Sequence, residues 1–238
     1  MAIKRTKIKI KETIISLICE ERFIPIAEKE IINQRKLLED YIKNDPLFKS
    51  TLKPYIVPYN APEIVKRMAV ESAKAGVGPM ACVAGAIAEY TLKALIKEGA
   101  KHAIVDNGGD IAMKINHPII VGIYSGENVC NIGLKFYPCD SIIGICTSSA
   151  TIGHSLSFGK ADAVVVISKN VTLADAVATS LCNSIKQKDR KIIEENIESF
   201  MMDEIDGIMV FYGDIIGLAG NLPEIVQAEI DPILITKG

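Results

Sequence analysis

The order of apolar and polar positions along the chain predicts short strands and amphipathic helices. Residues 6–19 alternate between apolar and polar side chains, which is typical of a β-hairpin or a bent strand. Residues 27–44 carry apolar side chains at helical spacing, and this helix should end before Pro46 because the residue preceding a proline avoids the α region. Residues 46–59 contain three prolines and predict an extended connector.

Two further helices are predicted next. Asn60 should cap the first, with Glu63 at the capping-box spacing, and Gly76 should end it. The second, over residues 80–98, carries small residues on one side that allow close packing, and Gly99 should close it. The expected buried stripe of the first helix consists of Ile64, Val65, Met68, Ala69 and Ser72.

The sequence pattern after residue 100 predicts a run of strands, then two helices and a final strand. Helices before and after a run of antiparallel strands indicate an α+β fold, with antiparallel sheets packed against helices. No linker divides the sequence, so residues 1–238 are expected to form a single domain that includes residues 1–60. The predicted strands are 102–105, 110–115, 119–124, 129–137, 144–146, 163–168 and 208–212, and the helices are 172–185 and 189–200.

Composition narrows the possible classes of protein. The formal net charge is -2 and aromatic residues make up 5%, which argues against a nucleic-acid partner. The longest apolar stretch, Val77 to Ala88, is too short to span a bilayer, so no membrane partner is expected. Six cysteines without metal-binding spacing indicate reduced thiols in the cytoplasm. An apolar content of 49% favours a homo-oligomer.

Two glycine motifs could contact a ligand. Gly76, Gly78 and Ala81 match the G-x-G-x-x-A dinucleotide pattern, but a predicted helix precedes them and Lys97 stands near the expected acid. This excludes a Rossmann site and leaves a plain interhelical turn or a weak phosphate site at a helix entry. The turn at 107–110 is either a simple hairpin or a turn whose bare backbone touches a ligand, with Asp106 and Asp110 at its rim.

A polar segment over residues 146–159 offers hydroxyl groups and one histidine. It contains six Ser and Thr hydroxyls, which suit phosphate or sugar oxygens. His154 is the candidate catalytic acid or base, since imidazole titrates near neutrality. Ser148 or Ser155 could act as a nucleophile with His154, although no G-x-S-x-G elbow is present. A polar loop that satisfies its own backbone is an equally good interpretation.

Asp175 and Thr179 lie four residues apart on a predicted helix and therefore share a face. A carboxylate and a hydroxyl are hard oxygen ligands that suit Mg²⁺. The competing interpretation is a capping box, in which Thr172 caps the helix and Asp175 supports it from three residues later. Taken alone, the cap is favoured.

The order of these pieces resembles the ApbE-like superfamily, whose best-known members are FAD:protein FMN transferases. Those proteins carry K-G-x-A-x-D, N-x-G-G-D, T-S-G and A-D-A-x-A-T motifs. The resemblance covers roughly residues 76–183 and is greatest to a shorter prokaryotic branch common in archaea. The corresponding segments here are Ala84-Gly85-Ala86-Ile87-Ala88-Glu89, Val105-x-x-Gly108-Gly109-Asp110, Thr147-Ser148 and Ala174-Asp175-Ala176-Val177-Ala178-Thr179.

The resemblance implies a site for Mg²⁺ and for FAD or a related nucleotide. Asp175, Thr179 and a backbone carbonyl near Ala81 would be the Mg²⁺ ligands. The flavin-nucleotide pocket would be lined by Gly85, Gly108, Gly109, Asp110, Thr147, Ser148 and Ser149. In the transferases the ion steadies the FAD pyrophosphate while a Thr or Ser hydroxyl of an acceptor protein attacks it and AMP is released, so an acceptor protein is a possible partner.

Departures from the family motifs keep a second class of function open. Ala84 stands in place of the family lysine, and Glu89 in place of its aspartate. The family H-x-x-D-P-x-T-G segment is missing, and His154 is followed by Ser155-Leu156-Ser157. The leading hypothesis is a Mg²⁺-assisted flavin- or nucleotide-binding protein, either a transferase or a pyrophosphate-cleaving enzyme. The alternatives are a non-catalytic flavin or nucleotide carrier or assembly protein, and more weakly a Ser/His hydrolase.

Overall fold

The computed structural model describes residues 3–124, 131–150 and 159–228, which contain eleven strands and six helices. The strands are β1 Ile3–Ile10, β2 Thr13–Glu20, β3 Ala103–Asn107, β4 Asp110–Lys114, β5 Ile119–Ile123, β6 Ile132–Phe136, β7 Ile143–Ser148, β8 Ala163–Ser168, β9 Gly207–Tyr212, β10 Ile215–Gly220 and β11 Glu224–Gln227. The helices are α1 Ile24–Asn44, α2 Pro46–Ser50, α3 Glu63–Lys74, α4 Val83–Lys97, α5 Val171–Ser184 and α6 Arg190–Phe200.

Two antiparallel sheets and a layer of helices make up an α+β fold. The large sheet has the order β1-β2-β3-β4-β7-β8-β9-β10, and the small sheet has the order β11-β6-β5. In β8, Val164 and Val166 belong to the core beneath the helices, whereas Val165 and Ile167 belong to a second core shared with the small sheet. This alternation follows from the period of two along a strand and places the large sheet between the other two layers.

Helices α4 and α5 lie at the centre of the helical layer. Helix α4 packs on β3 and β4, α5 packs on β7 and β8, and the two helices contact each other. In the part of the chain that the structure describes, Pro79–Lys97 is long and apolar enough to cross a membrane by length and composition alone. However, 56% of its most apolar window is buried in this fold, as befits a core helix.

Most of the expected elements are present in the structure, and the α+β fold with antiparallel sheets is confirmed. The alternation over residues 6–19 is the β1–β2 hairpin, with Ile8 paired to Ile15. The five residues predicted to form the buried stripe of the helix before Gly76 are all buried on α3. Helix α4 ends before Gly99, which has a φ of +92° as expected of a helix terminator.

Two expectations about local structure are wrong, and two strands were missed. The connector over residues 46–59 contains α2, a helix with Pro46 in its first turn, where proline is favoured. Helix α3 begins at Glu63 behind Pro62, with no side-chain cap, so Asn60 and Glu63 form no capping box. The physical reason is that Ala61 precedes a proline and is therefore disfavoured in the α region. Strands β10 and β11 were not predicted.

Candidate functional site

Four segments meet at one end of the large sheet beneath the helices. They are the β3–β4 turn, the entry to α4, the end of β7 and one face of α5. The entry to α4 is a short 3-10 turn, Pro79–Cys82, which leads directly into Val83. These segments contribute most of the residues that the sequence had marked for chemistry.

The β3–β4 turn is a two-residue hairpin loop. Asn107 pairs with Asp110, and Gly108 and Gly109 have φ angles of +70° and +101°. Positive φ at both central positions is the geometry that favours glycine in such loops. A Cβ on Gly109 would lie 3.9 Å from the Thr147 Cβ, so the turn lies beside the end of β7. The hairpin interpretation of this motif is therefore right, and the turn also reaches the candidate site.

The entry to α4 is tied to α5 through the residues expected to hold a metal ion. The Asp175 Oδ2 accepts a hydrogen bond from the Gly85 amide at 2.8 Å, and the Thr179 hydroxyl donates to the Ala81 carbonyl at 3.2 Å. The Asn107 side-chain amide donates to the Ala84 carbonyl at 3.0 Å, which joins the turn to the same place. Asp175 and Thr179 therefore both contact the entry to α4, and their assignment with Ala81 as metal ligands stays a prediction.

Asp175 does not support a helix cap. Asn170 caps α5 instead, with its Oδ1 accepting a hydrogen bond from the Leu173 amide at 3.0 Å. Thr172 lies inside the helix and donates both its amide and its hydroxyl to Glu89 Oε2, at 2.9 and 2.8 Å. The capping-box interpretation of Thr172 and Asp175 is therefore wrong, and the Asp175 carboxylate is available to the site.

The site contains two buried carboxyl groups, Asp110 and Asp175, and the negative charge of Asp175 acts on Asp110. They are 8% and 6% exposed. Burial raises the pKa of Asp175 to about 7, although the Gly85 hydrogen bond acts in the opposite direction. Burial, together with the negative charge of Asp175, raises the pKa of Asp110 well above its usual range. In the described residues the Asp110 Oδ1 has no hydrogen-bond partner.

The pleat of β7 divides its hydroxyl residues between the two faces of the large sheet. Cys146 pairs with Asp110 and belongs to the helix-side core, so alternation places Ser148 on that side and Thr147 on the other. Hydrogen bonding from the Thr147 amide to the Asp110 carboxyl favours the charged form of that carboxyl. Ser149 follows the strand and is half-buried. Contact of these hydroxyls with a nucleotide stays a prediction.

Other predicted features contribute less. A Cβ on Gly78 would lie 2.0 Å from the Thr51 carbonyl oxygen, so Gly78 serves close packing against the connector and favours the plain-turn interpretation. His154 and Ser155 lie outside the described residues, so the assignment of His154 as the acid or base, and the hydrolase alternative, stay predictions.

Glu89, at the position of the family aspartate, belongs to a buried ion network. Its Oε1 lies 3.2 Å from Arg67 and 2.5 Å from Lys93, and its Oε2 accepts the two bonds from Thr172. Burial raises the pKa of Glu89, but hydrogen bonds from Lys93 and Thr172 and the charge of Arg67 outweigh it, so the net pKa is lowered. Glu89 is therefore charged and ties α4 to the start of α5.

Two residues of the site were missed as site residues at the sequence level. Asn107 had been assigned only to the turn, although its amide fastens the turn to α4. Cys146 shows no sequence signal, because its place beside Asp110 depends on the pairing of β4 with β7. Among the residues the structure describes, no three His, Cys, Asp or Glu side chains converge, so any ion here would also need the hydroxyl and carbonyl oxygens.

Comparisons with known proteins identify the family of this chain. A family model described as "AbpE bacteria" matches residues 4–206. The UPF0280 protein of Methanocella arvoryzae is 46% identical over 237 residues, covering 99% of this chain and 96% of the relative.

Solved structures agree on the fold. The apbe protein of Thermotoga maritima superposes with a TM-score of 0.57 at 11% identity over the full length of both chains. The apo flavinyl transferase ApbE of Pseudomonas stutzeri gives a TM-score of 0.53 at 13% identity, covering 92% of this chain and 94% of that one. The chain therefore belongs to the ApbE-like family, in the branch represented by the archaeal UPF0280 proteins.

Proposed function

We propose that this protein binds a flavin nucleotide such as FAD with the help of Mg²⁺. The observation that carries the proposal is that two oxygen-bearing side chains of α5 both contact the entry to α4: Asp175 through the Gly85 amide and Thr179 through the Ala81 carbonyl. These are hard oxygen donors of the kind that Mg²⁺ prefers. The flavin assignment is supported by the fold shared with the Pseudomonas stutzeri flavinyl transferase.

The chain's own residues fit such an ion. The buried Asp110 Oδ1 lacks a partner among the described residues, and a buried polar atom of that kind calls for a ligand or water. A bound Mg²⁺ would neutralise charge on phosphate oxygens. The glycines of the β3–β4 turn leave backbone open to a ligand, and Ser148 offers a hydroxyl on the same face of the sheet.

The catalytic form of the proposal is a transferase or pyrophosphate-cleaving enzyme, with His154 as the acid or base and a Ser or Thr of another protein as acceptor. A specific observation favours the alternative of a non-catalytic flavin carrier. Ala84 occupies the position of the family lysine, so this position offers no charged side chain. The contact at this position is a hydrogen bond from the Asn107 side-chain amide to the Ala84 backbone carbonyl. A cytoplasmic location and a homo-oligomeric state are part of the same proposal.

The test measures FAD binding through the change in flavin fluorescence, once in the presence of Mg²⁺ and once in EDTA. We expect Mg²⁺ to strengthen binding and Asp175→Asn to weaken the Mg²⁺-dependent part at least about tenfold, since even supporting residues of metal sites contribute that much. Asp214→Asn is the control, because its carboxylate is on the surface and pairs with Lys188. Equal FAD binding in Mg²⁺ and EDTA would contradict the proposal.

A second assay separates the enzyme from the carrier. The protein is incubated with FAD and Mg²⁺, and AMP is measured by chromatography. Release of AMP, lost in Asp175→Asn, supports the transferase or pyrophosphate-cleaving form. Stable retention of intact FAD supports the carrier.

A further inference from the structure

Asp110 is a buried carboxyl group whose surroundings account for only part of its hydrogen bonding, through the Thr147 amide. It is 8% exposed, and its Oδ1 has no hydrogen-bond partner in the described part of the chain. A buried polar atom without a partner is costly, and a buried carboxylate is more so. None of the ion pairs among the described residues includes Asp110, whereas Glu89, a buried carboxylate of α4, has two basic partners.

The strand register aims Asp110 at α5. Asp110 pairs with Cys146, which belongs to the core beneath the helices and donates its thiol hydrogen to the Val171 carbonyl of α5 at 3.4 Å. Paired residues in an antiparallel ladder point to the same face of the sheet. The Asp110 side chain is therefore directed at the helix that carries Asp175.

Asp175 also lacks a basic partner among the described ion pairs. One of its oxygens, Oδ2, accepts a hydrogen bond from the Gly85 amide at 2.8 Å. Two carboxylates in one buried place repel each other unless a cation or a shared proton lies between them. Thr179 lies one helical turn beyond Asp175 on the same face of α5, and its hydroxyl, bonded to the Ala81 carbonyl, offers neutral oxygens there.

We propose that Asp110 is a direct ligand of the divalent cation, so that Asp110 of β4 and Asp175 of α5 hold one ion between them. This inference rests on the proposed Mg²⁺ site and extends it, because the family resemblance gives Asp110 only to the nucleotide pocket. The ion then fastens the large sheet to the helical layer. Oxygen ligands from two carboxylates, a hydroxyl and a carbonyl suit a hard divalent ion.

The test uses Mn²⁺ alone as the probe, because its electron paramagnetic resonance signal reports free ion directly. Binding is measured without nucleotide and again with FAD, for the wild type, Asp110→Asn, Asp175→Asn and the double variant. We expect each single variant to weaken Mn²⁺ binding at least about tenfold, in line with the loss seen for supporting residues of metal sites. The double variant should be less than additive, because both residues serve one ion. Glu89→Gln is the matched control: a buried carboxylate of the same layer that has its own basic partners.

Thermal unfolding supplies a readout that a purely structural role would not produce. Asp110→Asn should leave the metal-free protein as stable as the wild type or more stable, because it removes a buried acid whose charged form is disfavoured by burial and by the charge of Asp175. It should also abolish the rise in Tm that divalent ion gives the wild type. A structural role predicts the reverse, a lower Tm without metal and an unchanged rise with it.

The outcomes are distinguishable from those of the proposed function. Wild-type Mn²⁺ binding that persists in Asp110→Asn overturns the inference, while Mg²⁺-dependent FAD binding would still uphold the proposed function. A wild type that binds no Mn²⁺, with or without FAD, overturns the inference as well. A folded Asp110→Asn protein that has lost Mn²⁺ binding and keeps its metal-free Tm supports it.

Discussion

Gly85 is the residue that lets α4 and α5 approach each other at the site. A Cβ added at this position would lie 2.8 Å from the Asp175 Cβ and 3.0 Å from the Val171 carbonyl oxygen. Both are parts of α5 that cannot rotate away, so the helices would have to separate. We expect Gly85→Ala to lower the free energy of unfolding by about 1–3 kcal/mol, the usual cost of overpacking.

The same variant should weaken Mn²⁺ binding, since the Gly85 amide positions Asp175. Urea unfolding and Mn²⁺ titration check the two effects. An unfolding free energy equal to that of the wild type would mean that the helices separate at no cost, and would contradict this account of Gly85.

At this scale the sequence predicts the candidate ligands that belong to one helix and misses those that depend on pairing between strands. The spacing of Asp175 and Thr179 is local, so a helical period is enough to place them together. The placement of the Asp110 carboxyl and of Cys146 depends on the register of β4 against β7. That register is set by packing of the whole sheet, and no local pattern encodes it.

Among the elements, the joint between α4 and the start of α5 depends on one charged residue. Glu89 accepts the amide and hydroxyl of Thr172 and pairs with Arg67 and Lys93. We expect Glu89→Ala to lower the free energy of unfolding by about 1–3 kcal/mol, because it leaves the buried Thr172 amide and hydroxyl without an acceptor, whereas Arg67 and Lys93 are exposed enough to be hydrated. Glu89→Gln should cost less, since it keeps an oxygen for Thr172.

Urea unfolding measures both changes at Glu89. The control is Glu63→Ala, which removes an ion pair with Lys66 from an exposed side chain and should change stability little. If Glu89→Ala were no more destabilising than Glu63→Ala, the joint would have to be held by apolar packing alone.

Element boundaries were predicted correctly where nearby residues mark the ends of the element. The predictions failed where a proline shifted a boundary or where the sequence lacked apolar–polar alternation. Strand β8, Ala163–Ser168, matches its predicted range, because it is a short run of β-branched residues with polar flanks. Helix α3 starts later than expected because of Pro62. Strand β10 has the sequence IIGLAG, which lacks apolar–polar alternation, and it forms because β9 offers a free edge to pair with.

For the whole molecule, the α+β class followed from element order, but the three-layer arrangement did not. Strands β5, β6 and β11 form a separate small sheet, and β7 returns to pair with β4 in the large one. Only the structure shows that β8 is buried on both faces, one core beneath the helices and one beneath the small sheet. A continuous apolar run such as AVVVIS is consistent with that burial and equally with other topologies.

Global stability should depend on pH through His102, at the end of β3 opposite the site. Its ring stacks on that of His117, with centroids 4.3 Å apart, and its Nδ1 has no partner among the described residues. Burial, and then the charge of His117, lower the pKa of His102, although hydrogen bonding to Asn116 acts in the opposite direction.

The sign of the effect follows from this lowered pKa. Below the unfolded value, 6.5, the unfolded chain takes up a proton that the folded protein resists, so stability is lost as the pH falls from 6.5 through the folded pKa. The raised pKa of Asp175 acts in the opposite direction over this range, so the effect of His102 is read as a difference between two proteins. From pH 7 to pH 5 we expect the urea midpoint of the wild type to fall relative to that of His102→Asn. His117→Asn should be intermediate, since it removes one of the two causes. A His102→Asn protein whose midpoint falls as steeply as that of the wild type would place the pH dependence elsewhere in the molecule.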